Sequence, residues 1–133
     1  FLGFIMEFSE SLLQKIRQND DPEFTTLDLS FAQIEDSEVE EIVEALKGNE
    51  SLTNIKFNVN EIGDRGANKI SELLKVNKRL TEINLGSNQI GFNGIASLAD
   101  ALEVNITLTK LNLSFNKPEY IGGQNLQRRL EKI

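Results

Sequence analysis

Leu52-Thr53-Asn54-Ile55-Lys56-Phe57 decides the fold, because the same six-residue pattern returns at a fixed interval. Twenty-eight residues on stands Leu80-Thr81-Glu82-Ile83-Asn84-Leu85, and after a further twenty-eight Leu108-Thr109-Lys110-Leu111-Asn112-Leu113. One step back gives Phe24-Thr25-Thr26-Leu27-Asp28-Leu29, so four copies align without a gap. Positions four and six of each copy are apolar and two apart, which puts both side chains on one face of a short strand. Position nine reads Ala32, Asn60, Asn88, Asn116, and position eleven reads Ile34, Ile62, Ile90, Pro118.

Further along each unit the apolar period lengthens from two to about 3.6 residues, the signature of a helix. Val39, Ile42, Val43 and Leu46 share one face, as do Ala67, Ile70, Leu73 and Leu74, and Ile95, Leu98, Ala99 and Leu102. Gly63-Asp64-Arg65-Gly66 and Gly91-Phe92-Asn93-Gly94 are expected as tight helix entries in which glycine supplies unusual backbone angles. Asn49, Asn77 and Asn105 fall where the helices should end, a place suited to a left-handed residue.

The pattern L-x-x-L-x-L-x-x-N-x-I is that of leucine-rich repeats. A strand plus a full helix in 28 residues resembles the ribonuclease-inhibitor class, found also in NOD-like receptors, Ran GTPase-activating proteins and the tropomodulin C-terminal domain. The resemblance covers residues 24–133. It implies an α/β horseshoe solenoid with a parallel sheet on the concave face and helices on the convex face. The expected organisation is a single domain, residues 1–133. Residues 1–23 form an N-terminal capping helix with Phe8, Leu12, Leu13 and Ile16 on one face, and Pro22 blocks its continuation. Repeats follow at 24–51, 52–79 and 80–107. Residues 108–133 read as a terminal repeat or cap, with Leu126, Leu130 and Ile133 inward and the polar Gln127 and Arg129 where earlier units are mostly apolar.

Composition narrows the function. There is no cysteine and no histidine, which removes thiol nucleophiles, imidazole bases and Cys/His zinc sites. No Asp-rich calcium loop or phosphate-binding glycine loop is present, so neither metal nor cofactor is expected. A net charge of −7 argues against nucleic acid, where basic surface carries affinity. No apolar run reaches the roughly 18 residues that would span a bilayer. A cysteine-free chain fits a reducing compartment such as the cytoplasm. Charge is uneven: residues 1–50 carry 13 acids against 3 bases, and residues 51–133 carry 8 acids against 11 bases.

A non-catalytic protein-binding module is therefore the leading expectation. The concave face should offer Asp28, Lys56, Glu82, Asn84, Lys110 and Asn112, with Lys56, Glu82 and Lys110 as one row of alternating sign suited to selecting a partner. Position eight, just past each strand, reads Phe31, Val59, Ser87, Phe115, and position thirteen reads Asp36, Asp64, Phe92, Tyr120. Their apolar members lie outside the core pattern and are candidate anchors, since aromatic side chains are enriched at binding hot spots. Weak self-association through the open sheet ends is a further expectation. Sequons at Asn49, Asn105 and Asn112 are expected to serve the repeat rather than glycosylation.

A second resemblance is more specific. Ile16-Arg17-Gln18-Asn19-Asp20-Asp21-Pro22, Leu74-Lys75-Val76-Asn77-Lys78 and Ser87-Asn88-Gln89-Ile90 are similar to segments of tropomodulins, which implies actin pointed-end binding as the alternative. The greater regularity of these repeats ranks it second. A Ran GTPase-activating-like regulator is the enzyme-class alternative, with Arg65 the nearest loop arginine.

Overall fold

The computed structural model describes residues 2–117, with side chains from residue 10 onward. Helix α1 spans Leu2–Gln18, and three strand–helix units follow: β1 (Thr26–Asp28) and α2 (Asp36–Leu46), β2 (Asn54–Lys56) and α3 (Asp64–Val76), β3 (Glu82–Asn84) and α4 (Phe92–Val104). Strand β4 (Lys110–Asn112) ends the described chain. The four strands form one parallel sheet in chain order, each residue paired with the residue 28 positions on. This is the leucine-rich-repeat solenoid expected, in the expected register. The rest of the terminal repeat or cap expected at 108–133, with Leu126, Leu130 and Ile133, lies outside the described residues, as do Tyr120 and the side chain of Phe8.

The core lies between sheet and helices. Leu27 and Leu29, Ile55 and Phe57, Ile83 and Leu85 point inward from the strands. They meet Val39, Ile42 and Leu46 of α2, Ile70 and Leu74 of α3, and Ile95 and Leu98 of α4, all buried. Helix α1 closes the first repeat by burying Leu13 and Ile16. It ends at Asn19, which takes the left-handed conformation (φ 51°) that stops helices. Asn19 also accepts a hydrogen bond from Glu50 N–H at 2.9 Å, and Asn49 donates to the Ile16 carbonyl at 3.2 Å. The cap is thus fastened by polar bonds as well as packing.

Asparagine at position nine joins neighbouring repeats. Asn60 Oδ1 accepts from Ala32 and Ile34 N–H at 3.1 and 2.9 Å, while its Nδ2 donates to the Leu29 and Phe57 carbonyls at 2.8 Å. Asn88 repeats this with Ile62 N–H and the Phe57 and Leu85 carbonyls, and Asn116 with Ile90 N–H and the Leu85 and Leu113 carbonyls. Each asparagine serves its own turn and the turn before it, leaving buried backbone groups satisfied. Among the described residues no strand precedes β1, so an asparagine at Ala32 would have no earlier turn there to serve.

Two expectations are corrected. Asn77 and Asn105 end their helices in extended conformation, φ −77°, and Asn49 has no positive φ either. Their side chains act instead. Asn49 Oδ1 accepts from Ser51 and Leu52 N–H, Asn77 Oδ1 from Arg79 and Leu80 N–H, and Asn105 Oδ1 from Thr107 and Leu108 N–H. The sequon residues Asn49, Asn105 and Asn112 are all engaged in such internal bonds.

The glycine entries are also ordinary in angle: Gly63 and Gly91 have φ of −104° and −95°. Room is what glycine provides. Asp36 Oδ1 accepts from Gly63 and Gly66 N–H at 2.7 and 3.0 Å, and Asp64 Oδ1 accepts from Gly91 and Gly94 N–H at the same distances. An aspartate from one repeat therefore sits on the N-terminus of the next helix, where negative charge is stabilised. A Cβ on Gly94 would stand 2.6 Å from Ile90 Cγ2 and 2.7 Å from Asp64 Oδ1, whereas one on Gly48 would meet nothing within 4 Å. Gly94→Ala is accordingly expected to destabilise the fold by about 1–3 kcal/mol through overpacking. Gly48→Ala is expected to be neutral or to stabilise by roughly 0.4–1 kcal/mol through the unfolded chain. Urea denaturation of the two variants checks both signs.

Candidate functional site

The sheet is three residues wide, and its outward side chains fall in two rows fixed by the register. Thr26, Asn54, Glu82 and Lys110 form one row, and Asp28, Lys56, Asn84 and Asn112 the other. Adjacent members of a row are about 4.8 Å apart. The single row expected of Lys56, Glu82 and Lys110 is therefore corrected: Lys56 stands in the second row, between Asp28 and Asn84. Glu82 and Lys110 are neighbours, with Lys110 Nζ 3.9 Å from Glu82 Oε1. Asn54 Nδ2 donates to Glu82 Oε2 at 3.1 Å. These residues line a shallow concavity of about 310 Å³ together with Lys56, Asn84 and Asn112.

Part of this row is occupied by the chain itself. Asp28 Oδ1 accepts from Ser30 N–H and Oγ at 3.0 and 2.6 Å, Asn84 Oδ1 from Gly86 N–H at 2.9 Å, and Asn112 Oδ1 from Ser114 N–H and Oγ at 2.9 and 2.6 Å. Such side-chain bonds two residues on shape the exit from each strand. The Ser30 hydroxyl, then the Ser30 N–H and the Lys56 charge, hold the Asp28 carboxyl below its ordinary value. Lys56 and Lys110 extend into solvent.

The rim above the sheet is more distinctive. Phe31, Val59, Ser87 and Phe115 all have left-handed backbone, with φ of 56°, 58°, 55° and 58°. That conformation is uncommon for non-glycine residues and a genuine outlier for a β-branched one such as Val59. It is fixed by ladder bonds from position-eight N–H to the next repeat: Phe31 to Asn58 O, Val59 to Gly86 O and Ser87 to Ser114 O. The turn throws the side chain outward, leaving Phe31 75% and Phe115 84% exposed. Three repeats separate the two rings, about 14 Å at the spacing of parallel strands. The exposure expected at position eight is seen at Phe31 and Phe115, with Val59 less exposed.

At position thirteen the exposure expected of Phe92 is not seen. Asp36 and Asp64 cap the following helices, and Phe92 is half-buried against the core. Arg65 is not a loop residue: it lies in α3, with Nε 2.8 Å from Glu40 Oε1 of α2. Sequence reading missed Val76, Val104 and Ile106, exposed large apolar side chains at the opposite end of the strands. The first two occupy the same repeat position and could have been found by asking which recurring apolar residues lie off the helical stripe. Among the described residues no group of three or more acidic side chains is arranged to hold a metal, and no helix is long and apolar enough to cross a membrane.

Known proteins resemble this chain as follows. The family model described as the TMOD/LMOD leucine-rich domain matches residues 9–128. A solved structure of the leiomodin-1 actin-binding site 2 is 30% identical, covering 90% of this chain and 68% of that one, with a TM-score of 0.78. The C-terminal domain of tropomodulin from Caenorhabditis elegans is 13% identical, covering 93% and 89%, with a TM-score of 0.73, a likeness of fold alone. No curated protein sequence matches.

Two outcomes follow from the geometry. Phe31→Asn relieves a left-handed phenylalanine that buries little, so it is expected to raise stability by up to about 1 kcal/mol, read by urea denaturation. The Asp28 carboxyl is expected to titrate below its ordinary value of 3.8 and to return toward it in Ser30→Ala, read by NMR. Because the folded value is depressed, its stabilising contribution is present above the unfolded value and disappears as pH falls through the folded one.

Proposed function

This chain belongs to the TMOD/LMOD leucine-rich domain family, and from that premise we propose that it is a non-catalytic module whose protein partner is actin. The observation that carries this reading is the 30% identity to the leiomodin-1 actin-binding site 2 over 90% of the chain. The family match favours the actin-binding alternative over the unnamed partner that the sequence ranked first. Pointed-end engagement follows from the tropomodulin resemblance, and a cytoplasmic setting from the partner.

The surface we assign to actin is the rim and the sheet beside it. Phe31 and Phe115 would anchor the contact, since aromatic side chains that become buried supply much of the energy of an interface. Lys56 and Lys110 would add orientation and on-rate more than affinity. The absence of histidine and cysteine from the sequence and the pairing of Arg65 with Glu40 favour binding over a GTPase-activating role. The 28-residue unit with helices of 11–13 residues supports the ribonuclease-inhibitor class as the repeat subtype. Self-association at the outer edges of β1 and β4 would be weak, because each strand is only three residues long.

Fluorescence anisotropy with labelled monomeric actin tests the proposal. The unaltered chain is expected to bind. The Phe31→Asn/Phe115→Asn variant should bind at least about tenfold more weakly, or 1.4 kcal/mol, while Glu103→Lys on the convex helix α4 should bind as before. No binding by the unaltered chain would reject actin as the partner. Unchanged binding by the double variant would reject the rim.

A further inference from the structure

The sequence contains a single Asn-Gly pair, Asn93-Gly94, at the start of α4. Asn93 is exposed, whereas Gly94 is buried. In such a pair the glycine nitrogen can attack the asparagine side chain, because no Cβ shields it. The bond from Gly94 N to Asn93 Cγ forms, the Cγ–Nδ2 bond breaks, and ammonia leaves with the proton from Gly94. Water then opens the five-membered imide. Attack at Cγ gives aspartate on an unchanged main chain. Attack at the Asn93 backbone carbonyl gives isoaspartate, whose main chain is one carbon longer. Either product takes up one water and releases one ammonia.

The fold both creates this pair and restrains it. A Cβ at Gly94 would stand 2.6 Å from Ile90 Cγ2, 2.7 Å from Asp64 Oδ1 and 3.0 Å from Ala67 Cβ, so packing requires glycine there. The preceding repeat has Arg65-Gly66 at the same place, which cannot react in this way. The attacking nitrogen, however, is already engaged: Gly94 N–H donates to Asp64 Oδ1 at 3.0 Å. That nitrogen must lose its proton to attack, and a carboxylate at this distance disfavours the anion it would become. Asn93 is also helical, and the imide ring closes only after its ψ leaves the helical range.

We propose that Asn93 is a deamidation site held closed by Asp64, which reacts when the entry of α4 opens and whose isoaspartate product cannot re-form that entry. The crowding around Gly94 carries the second half. A main chain lengthened by one carbon, directly before a glycine with no space for a Cβ, displaces the Gly94 N–H from Asp64. Asp64 then keeps only its bond from Gly91 N–H, at 2.7 Å. The modification thus loosens α4 from the preceding repeat, at a rate set by local opening of the helix entry. The proposal is independent of the actin reading.

The test incubates the chain and a synthetic peptide of residues 89–97 side by side in mildly alkaline buffer. Peptide mass spectrometry reads deamidation at Asn93, and hydrogen exchange by NMR reads protection of the Gly94 amide. The folded chain is expected to react at least about tenfold more slowly than the peptide, and Asp64→Ala to raise its rate at least about tenfold, in line with the loss of a hydrogen bond to a charged group. Asp36→Ala, which removes the corresponding acceptor at the entry of α3, should leave the rate unchanged. Asp64→Asn keeps an acceptor oxygen without the charge and should fall between, and it carries the comparison if the alanine variant does not fold. The purified isoaspartate form should have lost protection of the Gly94 amide. Equal rates in chain and peptide, equal acceleration by Asp36→Ala and Asp64→Ala, or no acceleration in either Asp64 variant would each overturn the role of Asp64. Retained Gly94 protection in the isoaspartate form would overturn the loosening of α4.

Discussion

Everything in this solenoid depends on one side chain that appears three times, the asparagine of position nine. Asn60, Asn88 and Asn116 each hold the turn leaving their own strand and accept N–H groups from the turn before. Without such a partner the strand could not bend inward beside its neighbour, because the freed amides would be buried and unpaired, at about 1–3 kcal/mol each. In the same turns the residue at position eight takes left-handed backbone, before Ala32 at Phe31 as well as before the asparagines at Val59, Ser87 and Phe115. Phe31 and Phe115 are exposed because the turn has no inward direction to offer at that point. The turn that joins the repeats therefore also carries the rim assigned to the partner.

The helical layer has its own cross-repeat device, the aspartate of position thirteen. Asp36 and Asp64 cap the next helix, and Gly66 and Gly94 leave room for the carboxylate. Helix α2 has no earlier repeat among the described residues to supply an acid, and it is closed locally: Glu35 N–H donates to Glu38 Oε2 at 3.0 Å. At Phe92 the series changes character, with an aromatic ring packed on the core in place of a cap.

Much of this was legible in the sequence because the repeat is read four times over. The strand register was fixed by Leu52, Leu80 and Leu108 alone, and Leu13 and Ile16 marked the cap helix. The exposed aromatics at position eight were legible as residues the core pattern left unused. What escaped was the means rather than the place. Asn49, Asn77 and Asn105 were located correctly, but a side-chain bond and a left-handed backbone are equally good reasons for asparagine there. Glycine at Gly66 and Gly94 answers to crowding by an aspartate 30 residues earlier, a contact invisible along the chain. The division of Lys56 from Glu82 and Lys110 into separate rows was legible in the repeat, since Lys56 is the fifth residue of its copy and Glu82 and Lys110 are the third of theirs.

The two devices point in opposite directions along the chain. An aspartate is made before the helix it caps, whereas an asparagine is made after the turn it completes: Asp36 waits for Gly66, but Ala32 and Ile34 wait for Asn60. During synthesis from the N-terminus, a repeat emerging from the ribosome can guide its successor's helix at once, yet its own turn stays open until the following unit arrives. Folding of these repeats is then a zipper in which each turn closes one unit behind translation.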